Sequence, residues 1–256
     1  MTSAITIVCN GALTIGKCLE HHAPLFDRWI VVDGPSLPSR ETSGDGRRLT
    51  GGLPYSTDRT VEIVREFSKR HPNVVLLTHP TPWPSKVAKF NSALRMLSPG
   101  VVWEIDSDEF WFPQDIERVS QRMLNEGYSD AEFFARHFWG DTNHHTPLKI
   151  GVWGNEPAWR RAFLFNSNNY FVSHEPPRMN RKETLLTRDD TLAMGVVLYH
   201  YGYVDRKQYE ARERYYGLQP GQLTGEYDQW KKDGTGCPHQ LTEFKGTHPT
   251  QLWPTA

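Results

Sequence analysis

The stretch Val101-Val-Trp-Glu-Ile-Asp106-Ser-Asp108-Glu109-Phe-Trp111 decides how this chain is read. An apolar, strand-forming run stops abruptly in Asp106, Ser107, Asp108 and Glu109. Three carboxylates in four residues repel one another unless a cation or hydrogen-bond donors compensate them. In a continuing strand Asp106 and Asp108 would face the same side, because side chains alternate with a period of two. Such a pair can hold a hard divalent cation and leave positions open for phosphate oxygens and water. The competing reading is an acidic turn that caps a helix beginning near Pro113.

Upstream, residues 4–9 form a short β-branched run, followed by Asn10-Gly11, a helix-compatible stretch to about Leu25, and the apolar run 29–33 ending in Asp33. Continuously apolar strands around a helix predict a βαβ unit with a parallel sheet covered on both faces. Residues 34–55, rich in Gly, Pro, Ser and Arg, predict a long loop at the carboxyl end of the second strand. Val61, Val64 and Phe67 at helical spacing predict a helix over 60–70, a third strand follows at 73–78, and the Pro-rich tract 79–84 excludes helix. A helix over 86–97 then leads into the fourth strand, 101–105. Ligands on doubly wound sheets gather beyond the carboxyl ends of the strands, where Asp33, Asp106 and Asp108 all fall. Downstream we expect a helix to about Gly127, strands at 131–138, 149–153, 161–165, 170–172 and 196–201, and a helix over 206–216. A turn-rich tail from Gly217 should wrap the surface.

The chain has 256 residues, 38% hydrophobic and 23% charged, with a net charge of −1. That profile fits one large globular domain without bulk attraction to nucleic acid or anionic membrane. A polyanionic partner would need a local patch, either Arg178, Arg181, Lys182 and Arg188 or Arg206, Lys207, Arg212 and Arg214. Interspersed acids favour a solvated face for both. With no membrane-length apolar run and no basic, apolar leader, a cytoplasmic protein is the expectation. Three cysteines without Cys-x-x-Cys spacing point to reduced, buried thiols. Nine Trp allow stacking on flat ligands, with ordinary core use the commoner role.

The motifs then fall into a known order. Ile7-Val-Cys-Asn10, Ile30-Val-Val-Asp33-Gly-Pro-Ser36, Lys89-x-Asn91 and Glu104-Ile-Asp-Ser-Asp108-Glu-Phe resemble the successive elements of family-2 glycosyltransferases of the GT-A fold. Arg161-Ala-Phe163, Val172-Ser-His174-Glu175 and Tyr199-His-Tyr-Gly-Tyr203 resemble the Arg-x-Phe, His-Glu and His-Tyr-Gly-Tyr elements of one soluble branch. The resemblance covers residues 4–216. It implies one α/β domain over 1–256: a Rossmann-like mixed sheet flanked by helices, with an antiparallel C-terminal extension. Residues 1–112 would form the nucleotide-binding half, 113–216 the acceptor and metal half, and 217–256 a C-terminal wrap.

The implied activity is metal-dependent, inverting transfer of a sugar from a nucleoside diphosphate sugar, UDP-linked by preference, to a hydroxyl acceptor such as a glycan. On that resemblance Asn10, Asp33, Lys89, Asp106 and Arg161 would bind the donor. Asp106, Asp108 and His200 would bind Mn2+ or Mg2+, the imidazole favouring manganese. Glu175 would be the base, with Asp141, Glu109 and Glu156 as competitors, and Arg161 could instead pair with a structural acid. His248, in a Gly-x-His-Pro element, would reach the metal or lie in a surface turn. Two rivals stand beside this reading. A nucleotidyltransferase would need a Gly-rich basic signature after the first strand, where Asn10-Gly-Ala-Leu stands instead. A non-catalytic binder would not need the whole set of Asp106, Asp108, Glu175 and His200.

Overall fold

The computed structural model describes residues 1–39, 44–148, 158–237 and 240–251. Its first half runs β1 (Thr2–Val8), α1 (Ile15–His22), β2 (Arg28–Asp33), α2 (Arg47–Thr50), α3 (Thr60–Arg70), β3 (Val74–Leu77), α4 (Lys86–Leu94) and β4 (Gly100–Glu104). The four strands pair in parallel in the order β3-β2-β1-β4, as their continuously apolar sequences require. Helix α1 buries Ile15, Cys18, Leu19 and His22, and α3 buries Thr60, Val64 and Phe67, both at helical spacing. Helix α4 starts where Ser85 accepts a hydrogen bond from the Ala88 amide, and it buries Lys89 beside Phe90, Ala93 and Leu94.

The second half runs β5 (Glu109–Phe110), α5 (Pro113–Glu126), β6 (Asp130–Phe133), β7 (Ala135–Trp139), β8 (His144–His145), β9 (Trp159–Phe165), β10 (Phe171–His174), β11 (Pro177–Met179), β12 (Leu185–Leu186), α6 (Arg188–Ala193), β13 (Leu198–Tyr203), α7 (Arg206–Tyr216), α8 (Thr224–Asp233) and β14 (Thr242–Glu243). Strands β9, β6 and β12 extend the first sheet, with β9 antiparallel to both β4 and β6. A second sheet has the order β14-β8-β7-β13-β5. Sheet hydrogen bonding thus runs straight across the boundary at residue 112.

Four expectations need correction. The run 131–138 is two strands parted at Phe134, and they serve different sheets. The C-terminal extension is mixed, because β13 lies parallel to β7 while β5, β8 and β14 pair antiparallel. The tail carries helix α8, and the loop after β2 carries the short helix α2. The strand expected at 149–153 lies outside the described residues. Of the cysteines Cys18 is buried, while Cys9 and Cys237 are half-buried, and none is in a disulfide among the described residues. Core use accounts for Trp29, Trp83, Trp103, Trp111 and Trp139. Among the described residues no helix is long and apolar enough to cross a membrane.

Candidate active site

A cleft of about 750 Å³ opens at the carboxyl ends of β1, β2 and β4 and is walled on its far side by α7. The acidic cluster enters it in a turn. Strand β4 ends at Glu104, so strand alternation does not govern Asp106 and Asp108. The Glu109 amide donates to the Asp106 carbonyl at 3.0 Å, and the Tyr201 amide to the Asp108 carbonyl at 2.8 Å. The helix-cap reading fails, because α5 starts at Pro113 behind Phe112 with no side-chain cap.

Two arginines supply the compensation that the carboxylates need. Antiparallel pairing sets Trp103 opposite Ala162, which brings Arg161 beneath the end of β4. Its guanidinium donates to Glu109 at 2.7–3.0 Å and to Asp106 Oδ2 at 3.1 Å, and it lies 3.4 Å from Glu104 Oε1. Arg161 is buried and sits over the Trp159 ring, so it is a structural counter-ion and does not line the cleft. Burial pushes the Glu109 carboxyl up against the pull of Arg161. Burial likewise raises Asp106, with Arg161 opposing and Glu104 and Asp108 adding to the rise. On the cleft side, Arg212 of α7 holds Nη2 3.7 Å from Asp108 Oδ2.

His200 reaches the same turn from the second sheet. In β13 it lies opposite Glu109 of β5 and His137 of β7. Its Nε2 is 3.6 Å from Asp108 Oδ2, and its Nδ1 is 2.9 Å from His137 Nδ1. One ring must donate in that contact, and donation by His200 Nδ1 leaves Nε2 with a free lone pair toward Asp108. Burial, followed by the neighbouring His137, Arg212 and Arg161, holds the imidazole well below its usual range, hence neutral.

The remaining nominated residues divide by position. Asp33 is fully buried and accepts from the Ser56 amide at 3.0 Å and hydroxyl at 2.5 Å, and it does not line the cleft. Asn10 lines the cleft at a positive φ of 55°, but its side chain is bonded to Leu49 and Thr57, pinning the loop after β2. Lys89 spans from α4 to the Val8 and Gly34 carbonyls at 3.0 and 2.6 Å, and burial pushes its pKa down to about 8. All three shape the strand ends through bonds within the protein.

Glu175 lies in the turn between β10 and β11, 2.7 Å from Lys86 Nζ and 3.5 Å from His174 Nδ1. Burial would raise its pKa, yet the His174 hydrogen bond and the Lys86 charge hold it at about 2. Lys86 and His174 line the cleft, and Glu175 does not. Asp141 caps the Asn143 and His144 amides at 2.8 and 3.0 Å, away from the cleft. Glu156 falls outside the described residues. His248 accepts neither reading as a metal neighbour: it bonds Tyr201 Oη at 2.7 Å and packs on Phe138 and Phe244.

Sequence reasoning missed the contribution of α7. Of its basic run, Arg206 pairs with Asp228 and Glu210, but Lys207, Arg212 and Arg214 line the cleft with Tyr215 and Tyr216. Only the density of basic residues signalled this. In the other patch Arg181 binds the Leu164 and Ser129 carbonyls and Arg188 covers Phe134, while Arg178 and Lys182 are exposed.

A family model described as glycosyl transferase family 2 matches residues 55–194, ending before β13 and α7. No curated protein matches. Among solved structures, S. aureus TarS residues 1–349 shares 16% identity over 82% of this chain and 62% of that one, with a TM-score of 0.48. Glucosyl-3-phosphoglycerate synthase from Mycobacterium tuberculosis, solved with Mn2+ and UDP, shares 20% over 53% of this chain and 44% of that one, TM-score 0.39. Mannosyltransferase PcManGT from Pyrobaculum calidifontis, solved with GDP-Man and Mn2+, shares 18% over 64% and 44%, TM-score 0.42. The chain thus spans less than two thirds of the length of each of these structures. With more than half of its residues matched, including the acidic turn, the chain belongs to glycosyl transferase family 2.

Proposed function

We propose that this glycosyltransferase takes its sugar from a nucleoside diphosphate sugar, UDP-linked by preference, and passes it with inversion to a hydroxyl acceptor of the glycan class. A divalent cation, Mn2+ or Mg2+, would be held by Asp108 and His200. The observation that carries this reading is the 3.6 Å approach of His200 Nε2 to Asp108 Oδ2 at the cleft. A neutral imidazole nitrogen beside a carboxylate is a donor set that suits manganese. Asp106 offers a third group, since only its Oδ2 bonds Arg161 and its Oδ1 makes no hydrogen bond among the described residues. Among those residues no cluster of three or more ligating side chains is gathered for a cation. A cation on Asp108 and His200 would be completed by donor phosphates and water, the usual arrangement at nucleotide sites.

When bound, such an ion acts as a Lewis acid for the charge that builds on the departing diphosphate. The protein's own part is to hold the acidic turn rigid through Arg161 and to keep His200 neutral and oriented through His137. Of the four carboxylates considered as base, Glu109 is buried under Arg161 and Asp141 caps a distant turn. We retain Glu175, which sits beside the cleft-lining Lys86 and His174.

The test is release of nucleoside diphosphate from a panel of nucleotide sugars, with Mn2+ and after exhaustive chelation. Release should require the metal, and undiminished turnover in chelator would refute the metal role. Glu175→Gln should bind donor normally but lose transfer. Unchanged transfer would remove Glu175 as base.

A further inference from the structure

We propose that Arg212 is the side chain that grips the diphosphate of the donor, the role the family motifs suggested for Arg161; this rests on the donor reading above. A diphosphate entering beside Asp106 and Asp108 meets two carboxylates, so it needs a cation on the opposite wall. Most cations in or beneath the cleft are already engaged. Arg161 is saturated by Glu104, Asp106 and Glu109, Lys89 by two carbonyls, and Lys86 by Glu175. Lys207 and Arg214 line the cleft but are exposed.

Arg212 differs from all of these. Its Nε donates to the Gly202 carbonyl at 3.3 Å, and its guanidinium lies 4.2 Å from the Tyr203 ring centroid. These contacts orient the fork without using its ends. Apart from the 3.7 Å approach of Nη2 to Asp108, the terminal amino groups have no partner among the described residues. Gly202 leaves the room this requires: a Cβ there would come within 2.4 Å of Arg212 Nη2 and 2.5 Å of His200 Cε1. A half-buried, pre-oriented planar fork beside the metal-binding turn is the geometry that binds phosphate oxygens in two-pronged fashion.

The experiment is calorimetric titration of UDP, GDP and uridine, with saturating Mn2+, into the wild type, Arg212→Met and Arg212→Lys. Melting temperatures would establish that each variant folds. Arg212→Met should weaken UDP by about tenfold or more, the scale of one lost charged hydrogen bond, with uridine unchanged. Equal UDP affinity would overturn the assignment and leave Arg212 as a mere counter-ion of Asp108. Parallel loss of UDP and uridine would overturn it too, pointing to a distorted cleft. If the methionine variant does not fold, Arg212→Lys carries the same comparison, because lysine keeps the charge and loses the fork; affinity equal to wild type would then refute the role. A wild type that binds neither UDP nor GDP would instead sink the donor reading itself.

Discussion

The two faces of the acidic turn solve one electrostatic problem in opposite ways. On the inner face Arg161 is buried and directs its donors at Glu109 and Asp106 with Glu104 3.4 Å away, so its own donors are engaged within the protein. On the cleft face the Asp108 carboxylate has, among the described residues, only His200 at 3.6 Å and Arg212 at 3.7 Å, both beyond hydrogen-bond reach. A saturated network rigidifies and resists change, whereas an open one keeps lone pairs and donors for a ligand. The same residue types therefore divide into support and chemistry according to burial.

The comparison can be broken most severely at Arg161. Arg161→Met would leave buried Glu104 and Glu109 without their cation, and breaking a buried pair in this way costs roughly 3–5 kcal/mol. Urea denaturation should register that loss, and a variant as stable as wild type would refute the structural role. Asp108→Ala should act in the opposite sense, leaving the urea midpoint nearly unchanged while transfer falls by roughly 100-fold or more through lost stabilisation of the leaving group. Comparable losses of stability in the two variants would erase the distinction between the faces.

A modest change in stability is expected at Glu175, at the edge of the cleft. Its folded pKa of about 2 lies below the ordinary 4.5, because His174 and Lys86 outweigh burial. A depressed carboxylate contributes stability that is complete above pH 4.5 and is lost as pH falls through about 2. At 41% exposure solvent screens the pair, so Glu175→Gln should cost about 1 kcal/mol or less at neutral pH. The gap between variant and wild type should close as the pH drops from 4.5 toward 2, which denaturation at stepped pH would follow. A gap that widens on acidification would show that the pairing is misassigned.

Much of the first sheet was legible because each of its signals is local. Apolar β-branched runs gave β1, β2 and β4, and helical spacing of Val61, Val64 and Phe67 gave α3. The second sheet was harder to read. Residues 130–139 mix apolar and ionisable side chains without a Gly or Pro, and nothing in that run announces that the chain changes sheets at Phe134. Helix α8 is polar on most of its surface and carries a weak apolar stripe, so its composition resembles that of a turn-rich tail. Within the site, Asp106, Asp108 and His200 stood out by residue type; the two aspartates line the cleft, and buried His200 lies behind them, 3.6 Å from Asp108. Asp33, Asn10 and Lys89 stood out equally, yet each is bonded to the chain's own loops.

What the sequence determined by itself is the alternation of strands and helices, the acidic turn at the end of β4, and the need of three adjacent carboxylates for positive partners. Hydrophobic periodicity and charge density are properties of neighbouring residues, so they survive without coordinates. Which cations answer those carboxylates was decided only by tertiary structure. Antiparallel β9 carries Arg161 beneath the turn, the pairing of β5 with β13 brings in His200, and the packing of α7 across the strand ends adds Arg212. Ion pairing depends on distance and burial in space, and strand register and helix packing set both.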